Sequence, residues 1–349
     1  MKQKTKDKVK IACLPVAGIE NPYQYLMIKG LNQNPKLNAF NGVNDRFFGI
    51  IRTGLKYKPD YIHFDWIASY YSRRYSWLTY LDIPFFLFQM FFLKYILKIK
   101  IVWTFHNLYP HTNYQRNLHI RVQRCFAKYV SVIRIFSEKS LASAMQILNM
   151  QAEKFHICSE GSYIDYYPNT VSKEDARIYL KIDPFKKVFL FFGLITPYKG
   201  ILELIREFKF ENSILICAGK VMDANYFKLL QNAANDHILF YNQFISAENV
   251  QYFFNAADVV VLPFIEIENS GSLILAMGFK KPIIAPATKV ISERLQGQED
   301  LLFQAGDLYQ KLQLAINLSN TDLESFGENN FTKARKLNWV EFSELFDKV

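Results

Sequence analysis

Glycine and lysine stand in the second half of the chain where a phosphate-binding loop needs them. The segment from Phe192 to Gly200, FGLITPYKG, closes an apolar run with Gly193 and then places Lys199 at a helix start. A helix N-terminus offers N–H groups and positive potential, and a lysine adds a full charge, so the pattern suits a diphosphate. The Ser/Thr that holds magnesium in nucleoside-triphosphatase loops is absent from this motif, so that class is not indicated.

A second loop with similar chemistry follows the apolar run DVVVLPF. Hydroxyl and glycine residues open the next helix, which suits phosphate oxygens. Two carboxylates just before them can bind sugar or ribose hydroxyls. The residues concerned are Glu266, Glu268, Asn269, Ser270, Gly271 and Ser272.

In the first half, two histidines follow the apolar run that ends in VWTFHN. His106 and His111 are five residues apart, and imidazoles can act as acids or bases near neutral pH. The neighbouring residues do not complete a metal-ligand set, so zinc is not predicted. Gly18, after the first apolar run, allows close backbone approach of a ligand. Its surroundings are not GxGxxG, so dinucleotide binding is not supported.

Strands and helices must alternate to position these residues. In the first half the predicted strands are residues 9–16, 61–66, 100–107 and 132–137. In the second half they are residues 187–195, 213–220, 237–245, 258–264 and 281–287. Two βα arrays predict an α/β protein with two Rossmann-like domains facing each other across a cleft, because ligands bind beyond the carboxyl ends of parallel strands. The predicted domains are 1–170, 171–330 and a C-terminal helix, 331–349, that packs back toward the first domain.

The charge is distributed unevenly between the halves. The 349 residues carry a net charge of +10. Residues 1–170 hold 23 Lys and Arg against 10 Asp and Glu, a net of +13, whereas residues 171–349 hold 19 against 22, a net of −3. The first half therefore is expected to meet something anionic. RNA- and DNA-binding motifs are not present and the aromatics form core-like runs, so nucleic acid is not the expected partner.

The longest apolar stretch is residues 83–97, IPFFLFQMFFLKYIL. It is shorter than the ~20 residues that cross a bilayer. Two interpretations stay open: a buried helix, or a helix lying in a membrane interface beside basic residues. The polar N-terminus has no apolar signal-peptide core, and four separated cysteines indicate a reducing compartment, so a cytoplasmic location is expected.

Several phrases in order resemble motifs of one enzyme superfamily. FFGLITPYKG, LPFIEIENSGSLILAMGFKKPIIAP, VWTFHNLYPH and HICSEGSYIDYYP are similar to those of GT-B nucleotide-sugar glycosyltransferases, over roughly residues 9–345. The chain looks most similar to the inverting β-mannosyltransferases of bacterial exopolysaccharide assembly, such as the xanthan-pathway enzyme. Leu194 and Leu275 stand where the large retaining family has an arginine and a second glutamate, which favours the inverting interpretation.

The resemblance implies roles for residues in this chain. A base must take the acceptor's proton, and the candidates are His111, then Asp65 and Glu20. Fixed donors would stabilise the leaving diphosphate without a metal or a cofactor, since the nucleotide sugar is itself a substrate. The donor-binding residues expected are Gly18, His106, Gly193, Lys199, Lys220, Glu266, Glu268, Asn269, Ser270, Gly271 and Ser272.

The implied donor is GDP-mannose, and the implied acceptor is a glycan on polyprenyl diphosphate at the inner face of the cell membrane. Peripheral contact with anionic lipid is expected from the N-terminal lysines and from Arg73, Arg74, Lys94, Lys98 and Lys100. Two alternatives stay open: a retaining GT-B enzyme that uses a UDP-sugar, and a non-catalytic nucleotide-sugar or carbohydrate-binding protein.

Overall fold

The chain divides into two compact units in the computed structural model, which describes residues 8–18, 21–73, 75–106, 115–264 and 270–348. Unit 1 holds the residues up to Gly161 and those from Asn338 onward, and unit 2 is Ser162–Leu337. The division therefore falls before the predicted boundary at residue 170. The segment 331–349 is split as well, because only its last part belongs with unit 1.

Unit 1 is built on a parallel sheet. Its described residues form six strands in the order β2-β1-β3-β4-β5-β6. The strands are β1 Val9–Leu14, β2 Leu37–Asn41, β3 Tyr61–Phe64, β4 Lys100–Thr104, β5 Val132–Ile135 and β6 Phe155–Ile157. The central strand β3 is buried throughout, as expected when helices cover both faces of a parallel sheet.

The helices of unit 1 cover this sheet with apolar faces. Those in the first part of the chain are α1 Pro22–Leu31, α2 Gly49–Tyr57, α3 Ala68–Tyr71, α4 Ser76–Phe91, α5 Arg116–Ala127 and α6 Leu141–Leu148. A π-helical turn, Phe92–Ile96, extends α4. The core between these helices and the sheet includes Phe64, Phe86, Trp103 and Phe126. Unit 1 therefore has a continuous core of its own, which holds the strand ends in place.

The C-terminal segment completes unit 1 by packing on α1. A 3₁₀ turn, Trp339–Ser343, contacts that helix. Two glycines make room for Trp339: a Cβ at Gly30 would lie 2.5 Å from the Cβ of Trp339 and close to its backbone carbonyl, and a Cβ at Gly161 would overlap the indole ring. Side chains larger than hydrogen at these glycines would therefore displace the segment.

Unit 2 has a second parallel sheet, with the order β12-β11-β10-β7-β8-β9 across its described residues. The strands are β7 Lys187–Phe192, β8 Ser213–Ala218, β9 Ile238–Tyr241, β10 Val259–Val261, β11 Ile283–Pro286 and β12 Leu302–Phe303. Together with the sheet of unit 1, this confirms the predicted α/β class with two Rossmann-like domains.

Five of the unit 2 helices begin at a residue whose side chain caps the first turn. Ser172, Asp223, Ser270, Thr288 and Ser319 each accept a hydrogen bond from the first turn of the helix that follows. The helices are α7 Lys173–Tyr179, α8 Ile201–Glu207, α9 Ala224–Ala233, α10 Ala247–Ala256, α11 Gly271–Gly278, α12 Lys289–Arg294, α13 Leu308–Asn317 and α14 Asn320–Ala334, and α15 Glu344–Lys348 lies in unit 1.

Candidate functional site

A carboxylate and an imidazole meet at the carboxyl edge of the sheet in unit 1. Asp65 follows β3 directly and His106 follows β4, and these two strands are neighbours. The Nε2 atom of His106 lies 2.9 Å from Oδ1 of Asp65. The Asp65 side chain is fully buried, whereas 12% of the His106 side chain is exposed. His106 is therefore the residue of this pair that a ligand can reach. Asp65 contacts the imidazole from the buried side.

Aromatic rings fix the plane of the His106 imidazole. Trp66 stacks on it with ring centroids 4.8 Å apart and an interplanar angle of 22°. Tyr23 packs edge-on against the same imidazole at 5.1 Å. These contacts and the hydrogen bond to Asp65 leave the ring little rotational freedom, which is the preorganisation that an acid or base needs.

Gln24 ties the loop after β1 to the buried carboxylate. Its Nε2 atom donates to the carbonyl of Pro15 at 2.8 Å and lies 3.4 Å from Oδ2 of Asp65. Its Oε1 atom accepts from the N–H of Ala17 at 2.7 Å. The Gln24 side chain therefore connects the loop that leads to Gly18 with the Asp65 carboxylate, which in turn binds His106.

The protonation of this cluster follows from its burial and its charges. Burial lowers the pKa of His63, which lies on β3 beneath Asp65, to about 4, so this imidazole is neutral at pH 7. Burial raises the pKa of the Asp65 carboxyl, but His63, the hydrogen bond from His106 and Arg134 outweigh it and hold that pKa below its usual range. An ionised carboxylate only accepts hydrogen bonds. The Nε2 atom of His106 therefore carries the proton, and its Nδ1 atom is the basic position when the ring is neutral.

Arg134, at the end of β5, is a buried cation beneath the same edge. Its guanidinium donates to the hydroxyl of Tyr23 at 3.1 Å and to the carbonyls of Cys158 and Ser159 at 3.1 and 2.6 Å. The ring of Phe342, from the C-terminal segment, lies 4.3 Å from the guanidinium carbon. Arg134 therefore positions Tyr23 and links the site to the segment that closes unit 1.

In unit 2, the loops after three strands converge on backbone glycines. Gly193 follows β7 with φ +140°, and a Cβ added there would lie 3.2 Å from Oγ of Ser272 at the start of α11. A Cβ at Gly219, after β8, would overlap the carbonyl of Gly193, and one at Gly200 would overlap that of Pro263. Because only glycine fits such positions, the backbone and the first turn of α11 approach each other closely.

Lys199 lies at the edge of this cluster, just before α8. Its Nζ atom is 4.1 Å from the centroid of the Phe264 ring and 5.3 Å from that of Tyr198. Burial lowers the pKa of Lys199 to about 8. A cation held against two aromatic faces in a partly dry position attracts an anion more strongly than a solvated lysine does.

The structure places the predicted site residues in two groups. In unit 1, Asp65 and His106 are hydrogen-bonded to each other and Gly18 lies at the end of the loop that Gln24 holds. In unit 2, Gly193 adjoins Ser272, and Ser270 caps α11, whose first residue is Gly271. The backbone carbonyl of Lys220 accepts a hydrogen bond from the N–H of Ile195 at 2.9 Å. Five predicted residues lie outside the described ranges: Glu20, His111, Glu266, Glu268 and Asn269.

Sequence reasoning missed four side chains that organise the unit 1 group: Tyr23, Gln24, Trp66 and Arg134. The first two follow Pro22 in NPYQY and the third follows Asp65 in HFDW. Trp66 is the last residue of the predicted strand 61–66, and this position was the available signal. Arg134 lies inside the predicted strand 132–137, and Tyr23 and Gln24 lie several residues beyond the predicted strand 9–16, so no strand-end signal marked them. Within the described ranges, no three side chains of the His, Cys, Asp or Glu type gather closely enough to hold a metal ion.

A family model identifies the second group. Residues 172–330 match the model described as glycosyl transferases group 1. Unit 2 therefore contains a group 1 glycosyltransferase domain. The convergence of Gly193, Lys199 and the start of α11 lies inside this glycosyltransferase domain.

Solved structures show the fold of the whole chain. It is similar to sucrose-phosphate synthase from Thermosynechococcus elongatus, with a TM-score of 0.75, 17% identity and coverage of 98% of each chain. It is also similar to HepE from Anabaena, solved in complex with UDP and glucose, with a TM-score of 0.73, 15% identity and coverage of 97% and 98%. The chain that carries the glycosyltransferase domain therefore has the GT-B fold.

One curated relative matches a shorter segment. The GDP-mannose:glycolipid 4-beta-D-mannosyltransferase of Xanthomonas campestris pv. campestris is 31% identical over 106 residues. The match spans 28% of this chain and 29% of the relative's own length.

Proposed function

We propose that the chain is a glycosyltransferase that moves a hexose from a nucleoside diphosphate sugar to a hydroxyl acceptor. The observation that carries this proposal is the close approach of Gly193 to Ser272 in the group 1 domain, beside the partly buried Lys199. Backbone N–H groups, a helix start and a lysine are the groups that stabilise the charge which develops on a leaving diphosphate.

Unit 1 supplies the proton acceptor in this proposal. Asp65 holds the Nε2–H of His106, so Nδ1 is the position that takes the proton of the acceptor hydroxyl as the bond to the sugar forms. His106 is then the catalytic base, and Asp65 is a positioning residue. His111 and Glu20 stay candidates for the same role.

The donor is proposed to be GDP-mannose and the acceptor a glycan on a polyprenyl diphosphate. The support is the partial similarity to a mannosyltransferase that acts on a glycolipid. The reaction is proposed to invert the anomeric centre, because Leu194 and Leu275 replace the arginine and glutamate of the retaining pattern. The place of action is then the inner face of the cell membrane, with peripheral contact to anionic lipid.

A retaining transferase for UDP-sugars is the second candidate. The observation that favours it is the similarity in fold to HepE, whose structure contains UDP and glucose. The anomeric configuration of the product, read by NMR, separates the two candidates.

A ligand panel followed by a turnover assay tests the proposal. Thermal shift with GDP, UDP, GDP-mannose and UDP-glucose should give a concentration-dependent rise in Tm for one nucleotide series. Transfer to a glycolipid acceptor should then release the matching nucleoside diphosphate. Binding without any release across acceptors would instead support a non-catalytic nucleotide-sugar protein, and an absence of binding to every nucleotide would refute both.

A further inference from the structure

The exposed side of α4 is apolar along its whole length. Its exposed positions recur three or four residues apart and continue into the π-helical turn, so they share one side of the helix. The six large side chains among them are each 44–64% exposed. We call this surface the α4 aromatic face: Trp77, Tyr80, Leu81, Pro84, Phe88, Phe91 and Tyr95.

The fold of unit 1 does not require this surface. The opposite side of α4 provides its core packing through Phe86 and Met90, which are buried. Two polar residues, Thr79 and Gln89, are also buried there. A helix between a core and water has charged residues on its outer side, and here the polarity is the reverse. A continuous exposed apolar patch of this kind marks an interaction surface.

The charges around the α4 aromatic face are positive. Between residues 75 and 100 the sequence has one acid, Asp82, which accepts from Nε of Arg73 at 2.6 Å. At the other end of the face, a groove beside Leu55 and Ile96 is lined by three lysines and one acid, Asp60, whose carboxylate accepts from the N–H of Lys10 at 2.8 Å, so the net charge of its lining is positive. We call it the lysine groove, after Lys58, Lys98 and Lys100. The apolar surface therefore runs directly into a cationic one.

We propose that the α4 aromatic face lies flat in the headgroup region of an anionic bilayer, with the lysine groove against lipid phosphates. Tryptophan and tyrosine have apolar rings with polar tips, and lysines reach the headgroups, so both residue types favour this interface. The structure describes no helix with the length and hydropathy needed to cross a bilayer. A second copy of this chain would bring an equal positive charge to the same surface, which disfavours it as the occupant.

This inference extends the proposed membrane-linked acceptor, but vesicle binding requires neither donor nor acceptor, so either proposal can fail alone. The full chain is sedimented with vesicles of phosphatidylcholine, or of equal parts phosphatidylcholine and phosphatidylglycerol. We expect binding to the mixed vesicles that weakens with salt. Substituting both Phe88 and Phe91 with serine should reduce partitioning at least ~tenfold. The matched control, Phe185→Ser, changes a side chain of unit 2 that is 94% exposed and should bind like the wild type.

The lysine groove is tested with charge-removing variants. Lys58→Gln and Lys98→Gln should each weaken binding to the mixed vesicles by about fivefold. Binding to pure phosphatidylcholine should not change. Equal wild-type binding to both vesicle types would overturn the proposed role of anionic lipid.

Fluorescence tests the orientation independently of these variants. Trp77 is 63% exposed and Trp103 and Trp339 are buried, while Trp66 has intermediate exposure and stacks on His106, away from α4. Brominated lipids should therefore quench the emission on binding, and Trp77→Phe should lose most of this quenching while it still sediments with vesicles. Vesicle binding with unquenched Trp77 would overturn the proposal. So would a dimer in light scattering that Phe88→Ser dissociates, with no binding to vesicles, because the occupant would then be a second copy.

Discussion

The Nε2 atom of His106 lies 2.9 Å from Oδ1 of Asp65, although the two residues are 41 positions apart in the chain. Neighbouring parallel strands end at the same edge of the sheet, and this places the two side chains within hydrogen-bonding distance. Because the carboxylate is buried and ionised, it fixes the tautomer of the imidazole without contacting solvent. The pair has the arrangement of a base and its positioning carboxylate.

Asp65→Asn tests this pair. An amide has nearly the same shape but presents no full negative charge and can also donate, so it no longer fixes the tautomer of His106. We expect kcat to fall by about 10²–10⁴ with a smaller change in KM. Steady-state kinetics with the proposed donor and acceptor measure both values.

Asp60→Asn is the matched control for that variant. Asp60 precedes β3 at the other edge of the sheet, where its carboxylate accepts from the N–H of Lys10 at 2.8 Å. This variant should keep near-normal kcat. If Asp65→Asn also keeps near-normal kcat, the proposed pair is wrong and His111 or Glu20 becomes the first choice as base.

The stability of the protein should depend on pH through His63. Its folded pKa of about 4 lies below the ordinary value of 6.5, so the unfolded chain binds more protons between these values. The free energy of unfolding should therefore fall by roughly 3 kcal/mol as the pH drops from 6.5 to 4. The lowered pKa of the Asp65 carboxyl acts in the same direction, because the unfolded chain again binds more protons, and this loss of stability appears at lower pH, below the ordinary carboxyl value of 3.8. Urea unfolding across this range should show a flatter dependence for His63→Asn. An unchanged slope in that variant would mean that His63 is not the responsible group.

The sequence could predict the strands whose residues are buried on both faces, such as β3 and β7, because these are continuous apolar runs. It missed β2, β6 and β12, which contain polar residues or are only two or three residues long. The strand-end positions of Asp65, His106 and Gly193 were predictable for the same reason. The roles of Gln24 and Arg134 were not predictable, because each depends on a side-chain contact with a residue far away in the sequence. Gln24 contacts Asp65, 41 residues away, and Arg134 contacts Tyr23, 111 residues away.

Gly193→Ala tests the convergence of loops in unit 2. The backbone conformation at φ +140° is rarely adopted by any residue with a Cβ, and that Cβ would press on Oγ of Ser272. We expect a loss of about 1–3 kcal/mol in stability and a loss of nucleotide binding of at least ~tenfold. Thermal unfolding and calorimetric titration with GDP and UDP measure the two effects.

Gly18→Ala provides a comparison in unit 1. Among the described residues, no atom lies within 4 Å of a Cβ placed at Gly18, so the free protein should keep its stability. If the donor passes close to this backbone, KM for the donor should rise several-fold while Tm does not change. A variant with wild-type KM would remove Gly18 from the proposed donor-binding residues.

Lys199 should make nucleotide affinity depend on pH. Its pKa of about 8 in the free protein means that the cation is lost as the pH rises through this value, whereas a bound diphosphate favours the cation and raises that pKa. The Kd for the preferred nucleoside diphosphate should therefore increase above pH 8, and binding at pH 8 should take up protons from the buffer.

Lys199→Met should weaken binding by ~tenfold or more at neutral pH and remove this pH dependence. Lys228→Met, which changes an exposed lysine on α9, should behave like the wild type. Calorimetry in two buffers of different ionisation enthalpy measures affinity and proton uptake together. The same rise in Kd in Lys199→Met would assign the titration to another group and leave Lys199 without the proposed contact to the diphosphate.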